Sequence, residues 1–393
     1  MNKRRIAACV CGVVVTSTTW VVAAFEGQPV LFSVNAAVEA TDNRDATAQD
    51  KQSNVDVFLR PRIELRLDTG MTFVSALYEP SLRYRTEAGD DQNDFDVLHR
   101  LELALRHSLT ERARVRVSNT FLKIEDPRIE EGGAILRTDR SYILNTARAG
   151  LNYHLGRVSN LDLLLHNQIR RYDDDLMANL SDKDETGAQL EFRHTLLPTV
   201  RFLATGAYRM YGYESEGLRS RDFDTVIGSL GLEYLFTPQV IGSVSAGLQS
   251  RSYDDNLFES DDNVYIATEL SGTLPPDVRM GVLAGLGVRD ADVFPYPSQE
   301  YQEVRGYADM NVTPHLVLRV AATYRLSKYD AYPQIALPGG DEDVLVMDAQ
   351  LTYRLMETVS VMCGHRFEDV SADDNLSGSF TRNTTRAGVS VSF

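Results

Sequence analysis

The chain has 393 residues, with 40 basic against 56 acidic side chains, a formal net charge of −16 and three cysteines. So acidic a balance argues against a nucleic-acid partner. The length could hold two ordinary domains, yet no linker, low-complexity tract or compositional break divides the chain.

Residues 1–24 read as a secretory signal: Lys3, Arg4 and Arg5, then an apolar run closed by Val22-Ala23-Ala24, with cleavage expected after Ala24. Ile6-Ala7-Ala8-Cys9 mimics a lipoprotein cleavage site, but no apolar core precedes it. Removing the signal leaves 37 basic and 56 acidic residues, a net charge of −19. It also takes Cys9, Cys11 and Trp20, so Cys363 stands alone and neither an intramolecular disulfide nor a cysteine metal cluster is expected. Beyond it no apolar run approaches the roughly 18 residues of a membrane helix. A barrel would show none, because only alternate residues of its strands meet lipid.

Residues 25–393 alternate instead. Val30 to Glu39 places Phe32, Val34, Ala36 and Val38 on one face, the signature of a strand with one apolar side. Runs of the same kind follow at 57–68, 71–85, 95–109, 113–124, 141–155, 160–172, 185–196, 200–213, 222–235, 240–252, 263–274, 278–289, 301–312, 316–329, 343–355, 359–368 and 379–393. With the first run the count is eighteen, an even number that puts both ends of the chain on one side; sixteen is the alternative. Short turns, four of them built around Pro198, Pro238, Pro276 and Pro314 at spacings of 40, 38 and 38 residues, take turns with long acidic connections such as Asp173 to Glu185 and Asp330 to Glu342. Each period holds two strands, so the repeat is a hairpin array rather than a propeller or solenoid.

These features predict an all-β fold: a single transmembrane antiparallel up-and-down barrel, with short periplasmic turns and long extracellular loops. Apolar faces would meet lipid. Tyr153, Tyr234, Tyr353 and Phe393 stand beside short turns, and Phe121, Tyr208 and Tyr324 stand about nine residues beyond one. That spacing matches two membrane-interface rings across a tilted strand of roughly 9–11 residues. Gly388, Val389, Val391 and Phe393 end the chain as an aromatic-terminated strand that barrel-assembly machinery would read, although Ala387 stands before the glycine where a polar residue is usual.

The opposite face carries Glu79, Arg83, Arg100, Glu102, Arg116, Arg148, Glu191, Arg193, Arg209, Glu269, Glu303, Arg305, Asp309, Arg325, Asp348, Arg366 and Arg386. Of the 40 basic residues 35 are arginine, whose planar fork pairs bidentately with carboxylates and suits a wall that must hold its charges still. Such residues either pair with neighbouring acids and stiffen a watery wall or form a ladder of donors for a hydroxylated or anionic glycan. Both roles can coexist. Tyr211, Tyr265 and Tyr307 also point inward, as ordinary barrel residues or as stacking surfaces for sugar rings.

The acidic loop tips, among them Asp173-Asp174-Asp175, Asp261-Asp262 and Asp341-Glu342-Asp343, could gather divalent cations that bridge to lipopolysaccharide; their spacing matches no defined calcium loop. Solvated, mutually repelling loops are the plainer account. No cofactor is called for. None of the seven histidines has an evident Ser or Asp partner that the sequence can place beside it, and no Gly-x-Ser-x-Gly, His-Glu-x-x-His or phosphate loop occurs, so no enzyme is expected.

Arginine-rich hairpins such as Leu144 to Asp174, with turns such as Phe236-Thr237-Pro238, make the chain resemble the family called putative β-barrel porin 2. The resemblance implies a plug-free barrel in the outer membrane of a Gram-negative bacterium, surrounded by outer-membrane lipid and lipopolysaccharide. It further implies a polysaccharide-export pore working with periplasmic export components. A general or sugar-uptake porin, or a structural anchor for surface polymer, are the other readings.

Overall fold

The computed structural model describes residues 30–86, 94–124, 128–129, 135–136, 141–214, 220–274, 277–332, 336–376 and 378–393. The signal peptide expected at 1–24 and the loops Glu87 to Asn93 and, for the most part, Glu125 to Arg140 lie outside them.

Eighteen strands form the wall. In chain order they are β1 (Val30–Thr41), β2 (Asn54–Asp68), β3 (Thr72–Arg85), β4 (Phe95–Ser108), β5 (Ala113–Ile124), β6 (Tyr142–His154) and β7 (Ser159–Tyr172). Then come β8 (Lys183–Leu197), β9 (Val200–Tyr213), β10 (Phe223–Thr237), β11 (Val240–Tyr253), β12 (Asp261–Leu274) and β13 (Val278–Asp290). The last five are β14 (Ser298–Thr313), β15 (Leu316–Tyr329), β16 (Gly340–Arg354), β17 (Val359–Ala372) and β18 (Phe380–Ser392). Each pairs antiparallel with its chain neighbours, and β1 pairs with β18, so the sheet closes. Closure removes the two open edges of a flat sheet; the β12–β13 ladder alone stops well short of the loop end, at Ile266 opposite Leu286. The even count of eighteen holds, and the alternative of sixteen falls.

Side chains sort by parity. On β9, Phe202, Ala204, Tyr208 and Met210 face outward, Tyr208 and Met210 being about two-fifths exposed, while Arg201, Leu203, Thr205, Ala207, Arg209, Tyr211 and Tyr213 face inward. The outer face is greasy all the way round: Leu59, Ile63, Leu103, Leu165, Leu190, Leu230, Leu248, Val304 and Met347 are all exposed there. A water-facing sheet of this kind would hide such residues, so the outward stripe is read as a surface for hydrocarbon.

The two ends differ. At the short-turn end strands are joined by tight reversals; at Thr69-Gly70, Gly70 sits at φ 77°, where a side chain would be strained, and donates its N–H to Asp68 Oδ1 at 2.8 Å. At the loop end the chain builds structure that periodicity did not announce. The Asp173-Asp174-Asp175 tip begins a short helix, α1 (Asp175–Ser181), with Asp174 Oδ1 accepting from Met177 N at 3.0 Å. Asp173 accepts from Ser141 Oγ. This triplet is thus engaged in capping and loop closure. Likewise Asp341, Glu342 and Asp343, read from the sequence as a loop tip, belong to β16, and Asp261 and Asp262 belong to β12. Alternation there was hidden because acids occupy both faces.

Candidate functional site

The inward face is divided by height and by side. Near the loop end it is packed. Tyr211 stacks on Phe223 with ring centroids 4.4 Å apart, and Phe258 meets Tyr332 edge-on at 4.6 Å. Tyr213, Tyr253, Tyr296 and Tyr329 complete the same buried cluster. Tyr211 is therefore committed to packing and offers no face to a sugar; of the three inward tyrosines named from the sequence, Tyr307 is the one with an exposed ring. Burial holds the Tyr296 and Tyr332 phenols above their ordinary value, so both stay neutral.

Much of this packing is supplied by the connection between β13 and β14. Residues 291–297 fold into the barrel, with Ala291, Val293 and Tyr296 buried. Asp292 accepts from Tyr329 OH at 2.5 Å and from Arg325 at 3.3 Å. Tyr213 OH donates to Pro297 O at 2.9 Å, and Tyr296 OH to Pro338 O. Arg221 lies over the Tyr213 and Phe294 rings at 4.3 and 4.9 Å. The loop end is thus narrowed from the β9–β15 side.

The arginines of the packed zone are clamped. Arg325 and Glu342 are both fully buried and meet at 2.8 Å. Arg83 and Arg85, also buried, share Asp96. Arg251 bridges Asp261 and Asp330 at 2.5 and 3.2 Å and donates to Ser298. With Glu300 those two aspartates form a cluster of carboxylates near enough to share a cation, but the Arg251 guanidinium already fills that role. Arg366 and Arg382 flank Glu368.

Below the packed zone the inward side chains are more open. Arg100 pairs with Glu102, Arg193 with Glu191, Arg305 with Glu303, and Arg386 reaches both oxygens of Asp348 at 2.9 Å. Asp309 lies between Arg279 and Arg319. The more exposed of these pairs, such as Arg100–Glu102, are individually worth roughly 0–1 kcal/mol; the effect of all of them is to fix where charge sits. Glu79 faces Arg100 across β3 and β4 and Glu269 faces Ser243 and Leu283, whereas Arg209, beside Tyr211 at the packed zone, faces Gly187 and Thr225.

One stretch is not balanced. On β4, β5 and β6 the inward faces carry Arg106, Arg114, Arg116 and Arg148, with Arg106 directly opposite Arg116. Arg116 holds Asp162 at 2.6 Å. Arg106 lies over the Phe73 ring at 4.4 Å. Among the described residues Arg106, Arg114 and Arg148 have no carboxylate partner, and all three are exposed. Further round the ring the inner faces of β10–β13 carry small groups, Ser229, Gly231, Ser243, Ser245, Gly247, Ala267 and Gly285, beside Glu233 and Glu269.

Among the histidines, His166 meets Glu185 at 2.9 Å on the inner face, and on the outer His107 meets Thr72 at 2.8 Å, His99 meets Tyr78 at 3.0 Å and His194 meets Ser159 Oγ at 2.8 Å, a serine partner that the sequence could not place beside it. Tyr153, Tyr208, Tyr234, Tyr324 and Tyr353 stand exposed on the outer face, Phe121 less so. Phe393 lies 5.6 Å from the Phe32 ring and its N–H donates to Phe32 O at 2.8 Å. Gly388, Val389 and Val391 sit in β18 between β17 and β1. Sequence reading missed Asp292, Arg251, Gln249 and the inward fold of the β13–β14 connection; Pro295 and Pro297 in a row of otherwise apolar residues were the available signal of a shaped loop.

Comparison with curated proteins finds no match. Among solved structures the chain is similar to OccAB3 of Acinetobacter baumannii (12% identity, 93% of this chain and 98% of that one, TM-score 0.46). It is also similar to OprD of Pseudomonas aeruginosa (10%, 93% and 95%, 0.47) and to the FrpB iron transporter of Neisseria meningitidis (9%, 94% and 82%, 0.48). The family model described as putative beta-barrel porin 2 matches residues 30–393. A closed eighteen-stranded ring, greasy outside and charged within, is the architecture of an outer-membrane channel, and this chain belongs to the putative β-barrel porin 2 family.

Proposed function

We propose that the protein is a non-enzymatic pore in the outer membrane of a Gram-negative bacterium that passes a hydrophilic solute, an exported polysaccharide carrying acidic sugar units. The observation that carries this reading is the unbalanced arginine stretch on the inner face, Arg106, Arg114 and Arg148, exposed and without a carboxylate partner among the described residues. Exposed guanidiniums offer forked donors to carboxylates and hydroxyls, and the small residues on the inner faces of β10–β13 leave room beside them in the lumen. An apolar cargo would find no continuous apolar track there.

A small-solute uptake porin shares this lumen, and one feature favours it: the inward-folded residues 291–297 narrow the loop end. Purified protein in planar bilayers separates the readings. Ohmic single-channel currents, blocked by an acidic polysaccharide added on the short-turn side and not by the neutral polymer of equal length, are expected. Block by small sugars alone would replace export with uptake, and a barrel that never conducts would favour a structural anchor.

A further inference from the structure

The β13–β14 hairpin leaves the wall before its strands end. β12 pairs with β11 all the way to Arg251 opposite Asp261, but its ladder with β13 stops at Ile266 opposite Leu286. β13 meanwhile stays paired with β14 up to Asp290 opposite Ser298. Residues 261–265 of β12 therefore show a free strand edge, and residues 287–290 have turned inside.

The inner position is held by polar contacts. Gln249, on the inner face of β11, donates to Val288 O at 2.7 Å and accepts from Val288 N at 2.9 Å. This replaces the ladder bonds that β12 would have supplied. Lys183 on β8 pairs with Asp290, and Arg325 and Tyr329 hold Asp292. Gly287 lies close under the same amide: a Cβ there would sit 2.8 Å from Gln249 Oε1 and would push on it. At the vacated seam Asn263 Nδ2 is buried without a hydrogen-bond partner. A groove of about 330 Å³ opens on the outer face at the base of the fork, lined by Ile266, Thr268, Ala284 and Leu286.

We propose that residues 287–297 are a gate with two seats: the inner one seen here, and the free edge of β12, to which they zip by continuing the existing register. That register puts Gly287 opposite Tyr265 and Val288 opposite Val264. An unpaired edge beside a matched strand is a standing invitation to pair, and the inner seat compensates with bonds that vanish when the tip leaves. Zipping completes the wall and removes Ala291, Val293 and Tyr296 from the mouth. The proposal rests on the channel reading and supplies its regulation.

Two variants test it on full-length protein in planar bilayers, both with Cys363→Ser. In Val264→Cys/Val288→Cys, oxidation should form a disulfide and raise single-channel conductance, and reductant should reverse both. In Lys183→Met/Asp292→Asn the inner seat is weakened; occupancy of the wide state should rise about tenfold, which corresponds to about 1.4 kcal/mol. If the unmodified barrel conducts, the cysteine pair stays reduced under oxidant and the weakened variant behaves like it, the gate is wrong and the channel reading stands. Silence of every variant, the cross-linked one included, sinks the channel reading and the gate with it.

Discussion

Two seams of the barrel, β1 against β18 and β12 against β13, each hold nine residue pairs, yet only one is closed at the loop end. The first runs from Ser33 opposite Ser392 to Thr41 opposite Thr384, and polar clasps extend it: Asn383 donates through N and Nδ2 to Asp42 at 2.7 Å, and Asn43 Nδ2 to Thr381 O at 2.9 Å. The second ends at Ile266 and Leu286, with strand to spare on both sides. The comparison teaches that ladder length does not decide whether a seam is sealed; what decides it is where competing partners stand. Asp42 and Asn43 hold the chain ends in the wall, whereas Gln249, Lys183 and Arg325 draw the β13–β14 tip out of it.

The contrast can be broken most severely at the closing seam. Gly388 lies so near β1 that a Cβ would sit 2.9 Å from Ala36 O, against backbone that cannot yield. Gly388→Val should therefore abolish the heat-resistant, fast-migrating barrel on gels, and so should Phe393→Asp. Normal amounts of assembled barrel in either variant would mean that β18 does not close the ring.

A smaller effect is expected where the tip is anchored. Arg325→Met removes the guanidinium that meets fully buried Glu342 at 2.8 Å, and removing one partner of such a pair costs about 3–5 kcal/mol. The urea midpoint should fall while the low-salt conductance rises, because Asp292 loses the same guanidinium. A lower midpoint with unchanged conductance would separate stability from the mouth.

The smallest change belongs to the exposed clasp. Burial pulls the Asp42 carboxyl up, but the hydrogen bonds from Asn383 outweigh it and leave it below its ordinary value. The folded form thus favours the carboxylate, a contribution present above the unfolded value near pH 4 and lost as pH falls through the folded one. Asp42→Ala should cost only a few tenths of a kcal/mol at neutral pH and nothing at pH 2. A loss that persists in acid would assign the effect to something other than charge.

The wall was legible because a strand's period of two is local: every one of the eighteen runs is recoverable from neighbouring residues, and the structure mainly lengthens them at the loop end, as with Ser298–Thr313 against 301–312. The face of Arg100, Arg148 and Arg193 follows from the same period. The mouth was not legible. Alternation continues through Val288 and Asp290 as though the strand stayed in the wall, and only Gln249, 39 residues away in sequence, reveals that it does not. Likewise Glu342 reads as a loop acid until Arg325 is placed beside it.

The account stands on water filling the space that Arg148 faces. The direct measurement is single-channel conductance of Arg148→Cys/Cys363→Ser before and after a bulky, charged, water-soluble thiol reagent is added. A stepwise fall in current, absent in Cys363→Ser alone, is the predicted result. Steady current after complete labelling would place Arg148 away from the conducting path and contradict the account.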